Sequence, residues 1–133
     1  MFNGTDVPML KYINLGHYYF NFGQGDGFHA GNFTNLPNLL IIDAGDNITL
    51  FTDYAIQNCT ALKAIVIRNS SVLTFTKKKG TVTISNVAGG SVNAYFYVPD
   101  NLVTSYQAAD NWRDISDRIL GISNYDKDVI LAS

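Results

Sequence analysis

The chain contains no glutamate. Its eleven acidic residues are all aspartate, set against nine Lys and Arg for a formal net charge of −2. Charged residues are 15% of the 133, against roughly 25% in an ordinary soluble domain. Glu favours helix interiors, whereas Asp, Asn, Ser and Thr bond their own backbone and favour turns and caps. The deficit argues against long exposed helices. The missing basic excess removes the electrostatic footprint of a nucleic-acid binder, so no nucleic-acid partner is expected. Lys77-Lys78-Lys79, followed by Gly80, is the one basic run. It carries no interleaved aromatic on which a base would stack, and it reads as a solvated turn.

Other absences narrow the chemistry. A lone cysteine, Cys59, rules out an intrachain disulfide. No stretch approaches the roughly 18 apolar residues of a membrane span, so no membrane insertion is expected. No basic segment followed by an apolar one opens the chain, and no signal peptide is expected. With two histidines, no Glu and no compact nucleophile–base spacing, little is present from which to build a catalytic site. The chain is therefore expected not to be an enzyme. Gly23-Gln24-Gly25-Asp26-Gly27 fails the G-x-G-x-x-G spacing of a phosphate loop. Asp43-Ala44-Gly45-Asp46-Asn47 lacks the spacing and final Glu of a calcium loop. Neither a cofactor nor a metal is expected.

What is present is apolar and amide-rich. Hydrophobic residues make up 47% and aromatics 13%, enough for one core and one domain over residues 1–133. Five N-x-[ST] sequons, at Asn3, Asn32, Asn47, Asn58 and Asn69, follow from the abundance of Asn, Ser and Thr. They bear on modification only in a secreted eukaryotic protein.

One pattern occurs three times. Leu10–Gly16 reads LKYINLG, Leu39–Gly45 reads LLIIDAG and Leu62–Arg68 reads LKAIVIR. The residues ahead of each, from Asp6, Asn35 and Asn58, extend it to [DN]-[VLC]-[PT]-x-L-x-x-I-x-[LAI], at spacings of 29 and 23 residues. Leu10, Ile13 and Leu15, then Leu39, Ile42 and Ala44, then Leu62, Ile65 and Ile67 would point into a common core. The last two of each set keep the strand period of two. One such unit cannot bury its apolar side alone, but stacked units form a continuous core and a short parallel sheet. Cys59 then serves as a small buried apolar residue, and the leading Asp or Asn satisfies backbone where the chain turns.

Beyond Arg68 the pattern changes. Val72–Thr76 and Thr81–Ser85 alternate on either side of the lysine run and predict a β-hairpin. Ala94–Val98 reads as a further strand, ended by Pro99. Asp100 is a candidate N-cap for a helix bearing Leu102, Val103, Tyr106 and Ala109 on one face. A second helix is expected from Asp110, with Trp112, Ile115, Ile119 and Leu120 as its apolar stripe and Gly121 as its end.

Tyr97–Trp112 reads YVPDNLVTSYQAADNW. This segment, with Ile115 and Ile119, resembles the ending of BspA-like leucine-rich repeat proteins, Y-V-P-D-x-L-V-x-x-Y-x-x-A-x-N-W. The N-C-x-x-L-x-x-I-x-I segment from Asn58 to Ile67 is similar to that family's repeat, and the likeness spans about residues 35–125. Residues 1–32 match only through Leu10–Leu15, and the predicted hairpin departs from the usual repeat. Taken with the strand and helix patterns above, the resemblance gives an expected β-rich α/β fold: a short leucine-rich-repeat-like solenoid with a β-hairpin and a C-terminal two-helix cap. Residues 1–98 would form the repeat and strand region, 99–125 the helical cap and 126–133 a tail.

The resemblance also implies a non-catalytic surface module, extracellular on a bacterium or carried on a phage virion. Its partners would be a host protein or glycan on a cell surface, or other virion proteins. The alternative is a structural or decoration protein of a phage capsid or tail that assembles as an oligomer. A first repeat so near Met1 is expected to be covered by another domain, another copy of the chain or an assembly partner. With the repeat residues facing inward, their neighbours would form two outer ladders: Tyr12, Ile41 and Ala64, then Asn14, Asp43 and Val66. An exposed apolar strip of that kind suits a protein contact. Tyr18, Tyr19, Phe20 and Phe22 would extend it as hot-spot or sugar-stacking aromatics, or pack into the core of so short a solenoid. Tyr106 and Trp112 are read as cap packing.

Overall fold

The computed structural model describes residues 2–3, 9–17, 32–78 and 80–133. They form a mixed α/β fold of short parallel strands with few helices. The strands are β1 (Phe2–Asn3), β2 (Tyr12–Asn14), β3 (Phe33–Thr34), β4 (Ile41–Asp43), β5 (Phe51–Thr52), β6 (Ile56–Gln57), β7 (Ala64–Val66), β8 (Phe75–Thr76), β9 (Tyr95–Val98) and β10 (Ile119–Gly121). Strands of two to four residues cannot stand alone, so they are stable only when stacked. Five of them make the main sheet in the order β2-β4-β7-β9-β10, which is also their order along the chain. Two smaller sheets, β1-β3-β6 and β5-β8, complete the described pairings. Every pairing is parallel, and the register is continuous: Tyr12 pairs with Ile41, Ile41 with Ala64, and Ala64 with Tyr95.

Corners between the sheets are built from residues that tolerate a left-handed backbone. Asn35 and Asn58 sit at φ +56° and +52°, and Gly89 at φ +66°. Asn is one of the few side-chain-bearing residues that adopts this region readily. The amides also stack, since Asn58 Nδ2 donates to Asn35 Oδ1 at 2.8 Å. Backbone N–H groups at the same corners find carbonyls in the next layer, Asn35 on Gln57 and Cys59 on Gly89. The turning role expected of these asparagines is what the structure shows.

The inner core follows the repeat. Ile13, Leu39, Ile42, Ala44, Leu62, Ile65 and Ile67 are buried together, with Leu10 and Leu15 packed half-buried against them. At the centre Trp112 meets Phe75, Phe96 and Tyr106 edge-on, with ring centroids 4.9–5.2 Å apart, and Phe51 at 5.5 Å. Cys59 is buried in this core; its Sγ donates to the Gln57 carbonyl at 3.4 Å, and burial pushes its thiol up. That geometry is packing.

Three expectations are corrected. The hairpin does not form: β8 pairs in parallel with β5, and Thr83 instead caps a helix, α1 (Ile84–Val87), its Oγ1 accepting from the Asn86 N–H. The reason is burial. Phe75 is drawn into the aromatic centre, while Tyr106 Oη accepts the Leu73 N–H at 2.9 Å and Trp112 Nε1 donates to the Leu73 carbonyl at 2.7 Å. Lys79 lies outside the described residues. The two-helix cap is also different. The first helix, α2, spans Val103–Ala108, but the second is a 3-10 segment, Trp112–Arg118, which leads into β10. β10 continues the sheet in register with β9, pairing Ile119 with Phe96. A helix there would leave the β9 edge groups without ladder partners.

Asp100, expected to cap its own helix, accepts the Ser123 N–H at 3.0 Å instead; that bond holds its carboxyl below the ordinary range. A Cβ on Gly121 would collide with this carboxylate, which explains the glycine. The segment expected as a tail, residues 126–133, carries a helix, α3 (Lys127–Leu131), which Asp126 caps with its side chain accepting from the Val129 N–H.

Candidate functional site

The outer face of the main sheet carries the residues that sequence singled out for binding. Strand alternation sends Tyr12, Ile41, Ala64 and Tyr95 to one outward row, and Asn14, Asp43, Val66 and Tyr97 to the next. This pairing is the one the repeat alignment predicts. The expected open strip is not there, however. Ile41, Ala64 and Val66 are 0% exposed, in a second apolar cluster with Tyr97 covered by Ile122, Tyr125, Ile130 and Leu131. The C-terminal segment folds back and lies on this face, because a strip of Ile, Ala and Val left in water would forfeit its burial free energy. Tyr18, Tyr19, Phe20 and Phe22 lie outside the described residues.

Polar groups at the rim of the same face are tightly paired. Asp43 is only 4% exposed. Its carboxylate receives Arg68 in a fork, Nε at 3.1 and 3.3 Å and Nη2 at 2.9 Å, and accepts the Gly45 N–H at 3.2 Å. Such bidentate pairing meets the desolvation cost of a buried carboxylate, and the hydrogen bond to Asp43 raises the Arg68 pKa. Asn14, one layer back, is exposed; it accepts the Gly16 N–H at 2.8 Å and donates to Tyr12 Oη at 2.9 Å. Gly16 and Gly45 follow these residues at φ +60° and +76°, so the same turn recurs in two layers. A Cβ on Gly45 would strike the Gly16 carbonyl, whereas one on Gly16 would meet open space.

Tyr12 is half-buried, with the Lys127 ammonium 5.3 Å from its ring centroid, a cation–π contact that ties α3 to the sheet edge. Lys63 adds a second tie, Nζ to Ser133 Oγ at 2.6 Å. Beneath this strap Tyr97 and Tyr125 are 5.4 Å apart, ring to ring. The Tyr125 hydroxyl is shielded from solvent without a hydrogen-bond partner, and its pKa is pushed up to about 12, chiefly by burial and then by the charge of Asp43. Farther out, His17 Nδ1 lies 2.8 Å from Asp46 Oδ1 at an exposed turn.

Sequence reasoning missed Arg68, Tyr125, Ile130 and Leu131. Arg68 stands where the two earlier repeats have glycine, and that break in the pattern was the available signal. Among the described residues, no group of three or more His, Cys, Asp or Glu is placed to hold a metal ion, and no helix is long and apolar enough to cross a membrane. Set against protein-family models, curated proteins and solved structures, the chain matches none.

Proposed function

We propose that the chain is a non-catalytic binding module, a short solenoid of the BspA-like leucine-rich-repeat kind. It would be displayed on a bacterial surface or a phage virion and adhere to a host protein or glycan. The observation that supports this reading is the part played by the Y-V-P-D…N-W ending. Tyr106 and Trp112 clamp the Leu73 backbone, and Asn111 Nδ2 donates to the Phe75 carbonyl at 2.8 Å. A motif that locks the preceding layer is what a stack of repeats needs at its end. The reading is tested by presenting the purified protein to immobilised host matrix proteins and to a glycan array. Saturable binding to either class is expected. Binding to neither class, or turnover of any substrate on a hydrolase panel, would overturn it.

A second reading, a decoration protein that assembles through copies of itself, is favoured by one observation. Among the described residues no strand lies beyond β2 in the main sheet, and an edge strand is a ready template for pairing. Light scattering discriminates: a stable oligomer at micromolar concentration supports this reading, and a monomer sinks it.

A further inference from the structure

The corner column borders a groove of about 490 Å³, within the roughly 300–1,000 Å³ of small-molecule sites. Tyr54 and Gln57 line it from β6 and the turn before it, and Ser85 and Asn86 from α1. Gly89 and Gly90 line it as well, at φ +66° and +95°. At both, an added Cβ would crowd a neighbour: Ile56 Cγ2 at 2.8 Å for Gly89 and Thr60 Cγ2 at 3.2 Å for Gly90. This part of the lining is therefore bare backbone, held in a shape that side-chain-bearing residues rarely adopt.

Among the described residues no lining side chain is charged, which disfavours a phosphate, a carboxylate or a cation. The amides narrow the choice further. Gln57 donates from Nε2 to the Tyr54 carbonyl, Asn58 from Nδ2 to Asn35, and Asn86 from Nδ2 to the Thr81 carbonyl. One N–H of each NH₂ group is engaged by the protein, so each amide offers its oxygen and its second N–H to a ligand, beside the hydroxyls of Thr60, Ser85 and Tyr54. A lining of amides and hydroxyls that can both donate and accept suits a ligand whose own hydroxyls do the same. Tyr54 adds an aromatic ring that is apolar on its face and polar at its tip.

We propose that this groove binds a neutral carbohydrate. The inference rests on the binding-module reading and deepens it, giving the ligand a chemical class and a location distinct from the outer sheet face. Few groups need to be ordered on binding, because the amides are already pinned and the glycine backbone is fixed by packing.

The test uses the 133-residue protein on an array of neutral hexose and N-acetylhexosamine oligosaccharides with their sialylated and sulfated counterparts. The best neutral binder is then titrated against Tyr54→Ala, Thr60→Arg and, as a control, Arg113→Ala. Affinity is expected to fall about tenfold or more in the first two variants and to stay unchanged in the control. Thr60 is exposed, so its variant reports on the groove even where Tyr54→Ala loosens the fold. Neutral-glycan binding that survives both changes, binding of acidic glycans only, or binding of host proteins only overturns the groove and leaves the binding module standing. Binding to no glycan and no host protein brings both down.

Discussion

On the inner side of the main sheet, Ile13, Ile42, Ile65 and Phe96 bury one another layer by layer. On the outer side Ile41, Ala64 and Val66 are just as deeply buried, but beneath residues from beyond position 121. Both rows are apolar, as expected of a parallel sheet covered on both faces. The difference lies in who does the covering. Inside, Ile13, Ile42 and Ile65 hold the same place in the recurring sequence pattern, so the pattern names those partners. Outside, a single non-repeating segment covers several layers at once, and no period points to it.

The largest predicted effect tests the inner side. Trp112→Ala removes the ring that touches Phe51, Phe75, Phe96 and Tyr106 and frees the Leu73 carbonyl. It should cost about 3–5 kcal/mol in chemical denaturation; a loss under about 1 kcal/mol would mean that the aromatic centre does not hold the stack. Next, Ile42→Ala and Ile41→Ala, adjacent and both fully buried, should each cost about 2–5 kcal/mol. Double-mutant cycles with Ile130→Ala separate them. Ile41 should couple by about 0.5 kcal/mol or more and Ile42 should be additive; equal coupling would erase the distinction between the faces.

The rim between the faces gives a smaller contrast. Gly45→Ala should cost more than Gly16→Ala, roughly 2 against 1 kcal/mol, since both sit at positive φ but only Gly45 abuts a carbonyl. Matching melting temperatures for the two variants would show that the glycines do not stack.

The smallest effect concerns the strap. Tyr125 is held neutral in the fold, with its pKa pushed up to about 12 against an ordinary value of about 10. Its contribution is fully present below about pH 10. It is lost as pH rises from there through about 12, because the unfolded chain gives up the proton first. Tyr125→Phe should leave stability at pH 7 unchanged or slightly higher, as the hydroxyl has no partner. The variant should also show a shallower loss between about pH 10 and 12, read from denaturation midpoints. An unchanged alkaline slope would remove Tyr125 from the covered face.

Much of this arrangement was legible in the residues. The L-x-x-I-x-[LAI] pattern located three strands, their register and their inward side chains. The asparagines ahead of two of them marked the left-handed corners, because few other side chains tolerate that backbone. The hairpin failed for a non-local reason. Val72–Thr76 alternates like any strand, and alternation says nothing of whether a strand pairs with its sequence neighbour or with Phe51–Thr52, 24 residues earlier. Ile119 and Leu120 likewise fit a helical stripe, yet the free edge of β9 claimed them. For the candidate site, the outer ladders were named correctly in register but not in exposure. The sites of the corner groove are scattered from Tyr54 to Gly90 and share no period.

By itself, then, the sequence determined what is local or periodic. It set the short strands, the turn residues, the inward set and, among the described residues, the lack of long helices that a chain without Glu implied. Tertiary structure alone decided which edge each strand would join, that Arg68 would neutralise Asp43, and that residues 122–131 would close the outer face. The physical reason is range. Backbone preference and side-chain period act over a few residues, whereas burial and the pairing of buried charges are settled only when distant segments compete for the same surface.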